Sequence, residues 1–171
     1  MSNTQLEGKV AIVTGGRGGI GRGICERFSK EGASVISADL VKGKGGLPIN
    51  VDFELLDVTD ESNVKALMEK ISSEYGKLDI VINTAAIEIE SNIENTSLEQ
   101  WNQIFAINVT GTFLVSKYAI PLLRKAGGGS IVNFGSYDGF IADPKLSAYC
   151  ATKGAIHALT KAMACDYGPE N

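Results

Sequence analysis

The chain has 171 residues, 44% of them apolar, and its 16 basic against 20 acidic side chains give a net charge of −4. These values predict one globular domain with a substantial core and exclude an intrinsically disordered chain. The negative charge argues against a nucleic-acid partner, because a phosphate backbone attracts basic surfaces.

The N-terminal and cysteine patterns bear on where the protein acts. The first eight residues contain neither a basic nor an apolar segment, and no run of about 18 apolar residues predicts a membrane-spanning helix. Cys25, Cys150 and Cys165 are odd in number and lack the paired spacing of a zinc site. We therefore expect a cytoplasmic protein with reduced thiols, no membrane contact and no metal site.

Strands and helices alternate along the sequence. In chain order, the pattern predicts strand Lys9–Thr14, helix Gly19–Glu31, strand Ser34–Asp39, a glycine-rich loop Lys42–Gly46, strand Phe53–Leu56, helix Glu61–Tyr75, strand Asp79–Ile82, a long helical region from a capping box at Ser97 to about Ala126, strand Ser130–Phe134 and helix Leu146–Tyr167. Asp60 is expected to cap the second helix, Gly32 to close the first, and Pro121 to bend the long region.

This alternation predicts the α/β fold class. Parallel strands joined by helices form an open, doubly wound, Rossmann-like sheet with helices on both faces. Five predicted strands are too few to close an eight-stranded barrel. Residues 1–171 are expected to form a single domain, with the last strand at an exposed sheet edge.

A glycine-rich turn joins the first strand to the first helix. Gly16, Gly18 and Gly21 fit the spacing G-x-G-x-x-G, and the strand–turn–helix context strengthens this otherwise weak signal. Glycines permit close approach of a ligand, and the free N–H groups of a helix N-terminus attract a pyrophosphate. The pattern predicts a dinucleotide site. The alternative is a turn whose glycines serve only to allow close packing.

Asp39 ends the second strand, 18 residues after Gly21, near the spacing of about 20 expected for an acid that binds the adenosine ribose. Its carboxylate would repel a 2′-phosphate, so the sequence favours NAD over NADP. Arg17 and Lys42 would be able to offset that repulsion, which keeps NADP open. The alternative for Asp39 is a solvated acid at a strand end.

A tyrosine and a lysine share one face of the last helix. Tyr149 and Lys153 are four residues apart, and Ser136 follows the fifth strand at the sheet edge where ligands bind in such folds. Alone, a Tyr–Lys pair at this spacing is more often a surface contact than a catalytic one.

From Lys9 to Asn171 the chain resembles the short-chain dehydrogenase/reductase family of oxidoreductases. The family's T-G-x-x-x-G-x-G stands at Thr14 to Gly21, and its strand-end acid at Asp39. The other matches are the Asp57-Val58 pair, Asn83-Thr84-Ala85-Ala86 after the fourth strand, Asn108 in the long helical region, and Ser136, Tyr149 and Lys153. Ala86 departs from the family's glycine and adds a methyl group on the nicotinamide side.

The resemblance implies a set of site residues and their roles. The NAD cofactor, with NADP less favoured, would contact Gly15, Arg17, Gly19, Ile20, Gly21, Asp39, Asp57, Val58, Asn83, Ala85, Tyr149 and Lys153. The implied catalytic residues are Asn108, Ser136, Tyr149 and Lys153. Tyr149 would exchange a proton with the substrate oxygen and Ser136 would donate a hydrogen bond to it. Lys153 would lower the phenol pKa and hold the nicotinamide ribose, while Asn108 would position a relay water.

The implied function is hydride transfer between NAD(H) and a secondary alcohol or ketone, in one dinucleotide-binding and catalytic domain. The alternatives are an NADP-dependent 3-oxoacyl-type reductase and a non-catalytic, truncated nucleotide-binding or dimerising fragment. Family members continue beyond this point with further strands and a substrate-covering loop, so a part of a longer polypeptide is a third possibility. The substrate itself is not readable from these residues.

An alanine stripe on the last helix bears on self-association. Its members recur at steps of three and four on the side roughly opposite Tyr149 and Lys153: Ala148, Ala151, Ala155, Ala158 and Ala162. The resemblance implies a homodimer or homotetramer through the two long helices about a two-fold axis. The alternative is that the preceding helix covers the stripe within the same chain.

Overall fold

The computed structural model describes residues 4–43 and 46–170, so positions 44 and 45 of the predicted loop Lys42–Gly46 lie outside the described residues. In chain order the elements are β1 (Val10–Thr14), α1 (Gly19–Lys30), β2 (Ser34–Asp39), β3 (Val51–Leu55), α2 (Glu61–Tyr75), β4 (Ile80–Asn83), α3 (Leu98–Phe105), a π-helical turn (Ala106–Gly111), α4 (Thr112–Lys125), β5 (Ser130–Asn133), a 3₁₀ turn (Tyr137–Gly139), α5 (Ser147–Tyr167) and a last 3₁₀ turn (Gly168–Glu170). The described residues form one parallel sheet of five strands in the order β3-β2-β1-β4-β5. The predicted doubly wound α/β fold is confirmed.

Helices cover both faces of the sheet because the central strands carry apolar side chains on both. Ile12 and Val81 belong to the larger core cluster, which α2 and α4 complete on one face. Val13 and Ile82, one residue further along the same strands, belong to a second cluster with Cys25 of α1. The alternation of side chains along each strand thus builds two separate cores.

The chain leaves β1 and β4 in different directions. β2 pairs with one side of β1 and β4 with the other, in parallel register. At such a switch point the connections diverge and open a crevice at the carboxyl edge of the sheet. β5 lies at an edge of the described sheet, as predicted.

The predicted caps are present. The Asp60 carboxylate accepts hydrogen bonds from the backbone N–H groups of Ser62 and Asn63, and Ser97 forms a reciprocal capping box with Gln100. Gly32 has φ +91°, a left-handed conformation that suits glycine after a helix end. These local signals set where the helices begin and end.

The long helical region differs from the prediction in one respect. A π-helical turn at Ala106–Gly111 separates α3 from α4, and Pro121, where we expect a bend, lies inside α4. A π-helical turn places one extra residue in a helical turn and redirects side chains, often at functional sites. Strand bounds differ by one or two residues; β3, for example, begins at Val51.

The continuous helical segment Leu98–Lys125 is, in the described part of the chain, long and apolar enough to cross a membrane by length and composition alone. Its buried side chains include Val115 and Ala119, which belong to the larger core cluster beside β1 and β4. We therefore interpret it as a core helix that packs on the sheet.

Asp79, the residue before β4, binds the start of β1 through its side chain. The carboxylate accepts a hydrogen bond from the Val10 backbone N–H at 2.9 Å and pairs with Lys9 at 3.1 Å and Lys77 at 3.0 Å. Burial raises the pKa of this carboxyl, but the bonds from Val10, Lys77 and Lys9 outweigh it and hold the pKa below its usual value. Its stabilising contribution is therefore present above the unfolded-state pKa and is lost as the pH falls through the folded-state pKa.

Asp79→Ala is expected to lower the free energy of unfolding by about 1–3 kcal/mol at neutral pH, because it leaves the buried Val10 N–H without an acceptor. Urea denaturation as a function of pH measures this, and the difference from wild type should shrink below about pH 4. Glu69→Ala, at an exposed position of α2, serves as the control. Equal stability of Asp79→Ala and wild type at neutral pH would contradict the assigned role.

Candidate active site

A cleft opens at the carboxyl edge of the sheet, between the turn after β1 and the segment after β4. Its volume is about 490 Å³, within the range of small-molecule sites. Of the residues expected to contact the cofactor, those that line it are Gly15, Asp39, Asp57, Val58 and Ala85. The structure thus brings together the ends of several strands that are distant in sequence.

Two glycines fix the shape of the turn after β1. Gly15 has φ +62°, and a Cβ atom there would lie 2.9 Å from both Cα and N of Ala85. A Cβ atom on Gly21 would overlap the carbonyl oxygen of Gly15, whereas one on Gly19 would meet open space. Gly15 and Gly21 are therefore required for packing, and Gly19 leaves the helix start accessible.

The N-terminus of α1 carries no side-chain cap among the described residues. Its N-cap is Gly18, and its first turn contains no acidic side chain. The N–H of Arg22 bonds to the Gly18 carbonyl, so the N–H groups of Gly19, Ile20 and Gly21 precede the first helical hydrogen bond. These groups, with Gly19 and Ile20 exposed, form a surface suited to an anion.

Asp39 lies beside this turn. Its carboxylate accepts a hydrogen bond from the backbone N–H of Arg17 at 3.0 Å, which fixes it at the cleft wall. The Arg17 side chain reaches across to Gly43, where a Cβ atom would lie 3.2 Å from its Nε. Lys42 is exposed next to it, so one acid and two cations surround this end of the cleft.

The Asp57-Val58 pair forms another part of the cleft wall. The Asp57 carboxylate accepts bonds from the backbone N–H and hydroxyl of Thr59 at 2.9 and 2.7 Å. Val58 is buried and packs against Gly111 in the π-helical turn, where a Cβ atom would lie 2.6 Å from Val58 Cγ2. The turn therefore packs directly against this part of the cleft.

The structure places the Asn83 side chain away from the cleft. Its amide nitrogen donates to Asn133 at 2.9 Å and to Ser116 at 3.3 Å, so it joins β4 to β5 and α4. Thr84 and Ala85 instead continue to the cleft, and the Ala85 N–H donates to the Thr14 hydroxyl at 3.3 Å. The side chain of Asn83 therefore holds β4 against β5 and α4 below the cleft, and it does not line the cleft.

Asn108 lies in the π-helical turn and is buried. Its amide oxygen accepts from the Ile87 N–H at 2.8 Å, and its amide nitrogen donates to the Ile87 carbonyl at 2.9 Å and to the Thr152 hydroxyl at 3.2 Å. One side chain thus joins the segment after β4 to α5. Thr152 was not singled out from the sequence.

Ser136, Tyr149 and Lys153 converge where β5 meets α5. The Lys153 ammonium lies 5.4 Å from the centre of the Tyr149 ring and donates to the Phe134 carbonyl at 2.7 Å. Ser136 is close enough to the Tyr149 phenol to lower the pKa of that group. Lys153 is only 5% exposed, and burial lowers the pKa of its ammonium group.

The acidity of the Tyr149 phenol differs from our expectation. Burial raises its pKa, the nearby Ser136 opposes this, and the negative charges of Glu88 and Asp138 add to the rise. We expected Lys153 to lower the phenol pKa, but its ammonium is directed at the Phe134 carbonyl. The chain's own residues therefore hold the phenol protonated at neutral pH.

Asp138 is a component of the site that the sequence analysis missed. It is only 7% exposed, and its carboxylate accepts the Ser136 hydroxyl at 3.0 Å and the Asp143 N–H at 3.1 Å. The signal that was available is its spacing, because a serine two residues before an acid often closes a local turn.

Comparisons with known proteins show which family the chain is similar to. A family model described as short chain dehydrogenase matches residues 9–171. The 3-oxoacyl-acyl-carrier-protein reductase FabG of Thermotoga maritima is 35% identical over 175 residues, covering 98% of this chain and 71% of that protein. An NADP-dependent (R)-specific alcohol dehydrogenase of Lentilactobacillus kefiri is 36% identical over 171 residues, covering 95% of this chain and 68% of that protein.

A solved structure gives the same result for the fold. Ligand-free aldohexose dehydrogenase of Thermoplasma acidophilum matches with a TM-score of 0.93 and 38% identity, covering 99% of this chain and 65% of that one. The chain therefore spans about two thirds of the length of the proteins it matches.

Gly21→Ala and Gly23→Ala are expected to change stability in opposite directions. The first places a methyl group on the Gly15 carbonyl and should lower the free energy of unfolding by about 1–3 kcal/mol. The second meets open space in the same helix and should raise it by about 0.5–1 kcal/mol. Urea denaturation of both variants measures the effect, and a stable Gly21→Ala protein would refute the tight packing of the turn.

Proposed function

Because the chain belongs to the short-chain dehydrogenase family, we propose that it is an oxidoreductase that transfers a hydride between NAD(H) and a secondary alcohol or ketone. Tyr149 is the general acid and base. The observation that carries the proposal is the convergence of Ser136, Tyr149 and Lys153 at the same edge of the sheet as the glycine-turn cleft.

The cleft residues fit a dinucleotide. The tight glycine turn, the uncapped start of α1 and the Asp39 carboxylate suit a pyrophosphate and a ribose. The residues that would hold it are Gly15, Arg17, Gly19, Ile20, Gly21, Asp39, Asp57, Val58, Ala85, Tyr149 and Lys153, with Asn83 supporting them from below. When bound, the cofactor supplies or accepts the hydride.

The chain's own residues handle the proton. A phenol held protonated by its surroundings is ready to donate to the oxygen of a ketone during reduction. Ser136 would donate a hydrogen bond to the same oxygen and stabilise its developing charge. In the oxidation direction Tyr149 must first lose its proton, so the rate of alcohol oxidation is expected to rise with pH. Asn108 and its partners hold the segments that border this route.

Tyr149→Phe should lower kcat for ketone reduction by at least about 100-fold, because no other group donates the proton. Binding of NADH, measured by its fluorescence, should change little, whereas Lys153→Ala should weaken both binding and turnover. Tyr137→Phe is the matched control, since that exposed tyrosine bonds to Asp143 on the loop outside this cluster. Substantial activity of Tyr149→Phe would eliminate this residue as the acid.

NAD is the proposed cofactor, because the Asp39 carboxylate at the cleft wall would repel the 2′-phosphate of NADP. The positive charges of Arg17 and Lys42, at the same end of the cleft, would attract that phosphate and so favour NADP. The Asp39 side chain is shorter than those of Arg17 and Lys42, and the hydrogen bond from the Arg17 N–H holds its carboxylate in place. We therefore expect the charge of Asp39 to outweigh the two cations.

Wild-type protein is expected to bind NADH more tightly than NADPH in fluorescence titrations. Asp39→Asn keeps an acceptor for the Arg17 N–H but removes the charge, so NADPH affinity should rise on the order of tenfold. Glu69→Gln, which removes an exposed charge on α2, controls for net charge. Equal NADH and NADPH affinities in the wild type would mean that the positive charges of Arg17 and Lys42 cancel the repulsion by Asp39.

A second substrate class has specific support. The match to a 3-oxoacyl-acyl-carrier-protein reductase makes NADP-dependent reduction of a 3-oxoacyl thioester the second candidate. Parallel assays of acetoin with NADH and of acetoacetyl thioesters with NADPH separate the two.

The proposed location is the cytoplasm, where both cofactors are available.

Self-association through α4 and α5 is also proposed. Ala158 and Ala162 of the alanine stripe are exposed, so α4 does not cover them within the chain. Phe113 of α4 is 46% exposed and lines a groove with Leu159 and Met163 of α5. This apolar face suits a two-fold contact with a second copy.

The double variant Ala155→Glu, Ala158→Glu should be a folded monomer in sedimentation experiments, because it places charges on the proposed interface. Lys65→Glu on the exposed face of α2 should keep the wild-type oligomeric state. If the double variant also keeps that state, the proposed homodimer or homotetramer interface lies elsewhere.

A further inference from the structure

The Ser136 loop, residues 134–140, follows β5 and lies against two side chains of α5, those of Lys153 and His157. Lys153 donates a hydrogen bond to the Phe134 carbonyl at the start of the loop. One turn later on the same side of the helix, the ring of His157 contacts the rest of the loop. The proposed function uses Lys153 but assigns no part to His157.

Two glycines of the loop make room for the His157 ring, one on each side of Ser136. A Cβ atom on Gly135 would overlap His157 Nε2, and one on Gly139 would lie 2.7 Å from both Nδ1 and Cε1 of the same ring. Neither glycine has a positive φ, so the backbone conformation does not itself require glycine. At Gly135 the three atoms nearest to the added Cβ all belong to the His157 ring, so it is this ring that excludes a side chain there.

An aromatic contact holds the far end of the loop. The Phe140 ring stacks on the His157 ring, with ring centres 4.0 Å apart and planes 19° from parallel. Within the loop, the Gly139 N–H donates to the Ser136 carbonyl at 3.1 Å and the Phe140 N–H donates to the Tyr137 carbonyl at 2.8 Å. The loop is therefore a compact turn that contacts one ring both before and after Ser136.

The His157 ring acts on the loop by its shape. Within the part of the chain that the structure describes, its Nδ1 atom is buried without a hydrogen-bond partner. A buried polar atom without a partner is unfavourable, so this nitrogen does not account for the position of the ring. The stacking on Phe140 and the close fit beside Gly135 and Gly139 account for it instead.

We propose that His157 is a positioning residue, whose ring fills the space between Gly135, Gly139 and Phe140 and so fixes the loop that carries Ser136. A serine that donates a hydrogen bond to a substrate oxygen must be held close to its productive position, because small displacements of such donors cost catalysis. This inference deepens the proposed function, on which its catalytic meaning rests, whereas the contact between ring and loop concerns the chain alone.

Amide hydrogen exchange, measured by NMR, tests the contact without substrate. The amides of Gly139 and Phe140 report on the loop, because both donate hydrogen bonds within it. In His157→Ala the space of the ring is empty, so the loop should open more often and both amides should exchange at least about fivefold faster than in wild type. The amide of Ile12 in the central strand β1 reports on the whole domain and should accelerate less.

A double-mutant cycle tests whether the same contact positions Ser136 for turnover. Gly135→Ala places a methyl group on the His157 ring, and His157→Ala removes the ring, so each should lower kcat for ketone reduction about tenfold. In the double variant the methyl group enters the space that the ring has left, so kcat should not fall below that of His157→Ala. The Kd for NADH should stay within about twofold of wild type in all three variants, because the change affects the orientation of Ser136 and not the cofactor cleft.

Lys161→Ala, at an exposed position one turn further along α5, is the control and should match wild type in both experiments. Circular dichroism limits the comparison to folded protein. Losses of kcat that multiply in the double variant overturn the proposal, and so does exchange in His157→Ala that is unchanged in the loop or accelerated equally at Ile12. If wild-type protein reduces no ketone, the proposed function fails, and the exchange experiment alone decides whether His157 fixes the loop.

Discussion

The site depends on the close approach of two backbones at the carboxyl edge of the sheet. The turn at Gly15 touches the segment at Ala85 so closely that a single methyl group would not fit. This contact is possible because β1 and β4 are neighbours in parallel register, and their connections leave in opposite directions. The cleft opens beside this contact and is bordered by Asp39 at the end of β2 and by Gly18 at the start of α1.

The catalytic half of the site is held by polar contacts between elements. Asn108 joins the segment after β4 to α5, and Lys153 joins α5 to the end of β5. Both side chains are buried, so losing a partner would leave an unsatisfied polar group. Tyr149 lies beside the buried Lys153 ammonium, in surroundings that burial and the charges of Glu88 and Asp138 make unfavourable for its ionised form.

The sequence predicted well those features that depend on local patterns. The five strands, the caps at Asp60 and Ser97 and the glycine turn all appear where periodicity and spacing placed them. Contacts between segments that are distant in sequence were harder to predict. The π-helical turn at Ala106–Gly111 has no composition signal, and its role becomes visible only when Gly111 packs on Val58.

The orientation of individual side chains was also beyond the sequence. Asn83 was expected at the cofactor but bonds to Asn133 and Ser116, because its position in β4 directs the side chain toward α4. Asp138 is next but one to Ser136, so that contact is local, but only the fold brings its carboxylate against Cys150. The roles of the matched residues, Tyr149 among them, are still predictions.

Transfer of deuterium from labelled NADH to a ketone gives a direct test of hydride transfer by this protein. The protein is incubated with acetoin, butanone or cyclohexanone and with NADH deuterated at nicotinamide C4, in separate samples for each face of the ring. The product alcohol is expected to carry one deuterium at the carbon of the former carbonyl, from one of the two labelled forms only. An alcohol without deuterium from either form, or no alcohol from any ketone, would contradict it.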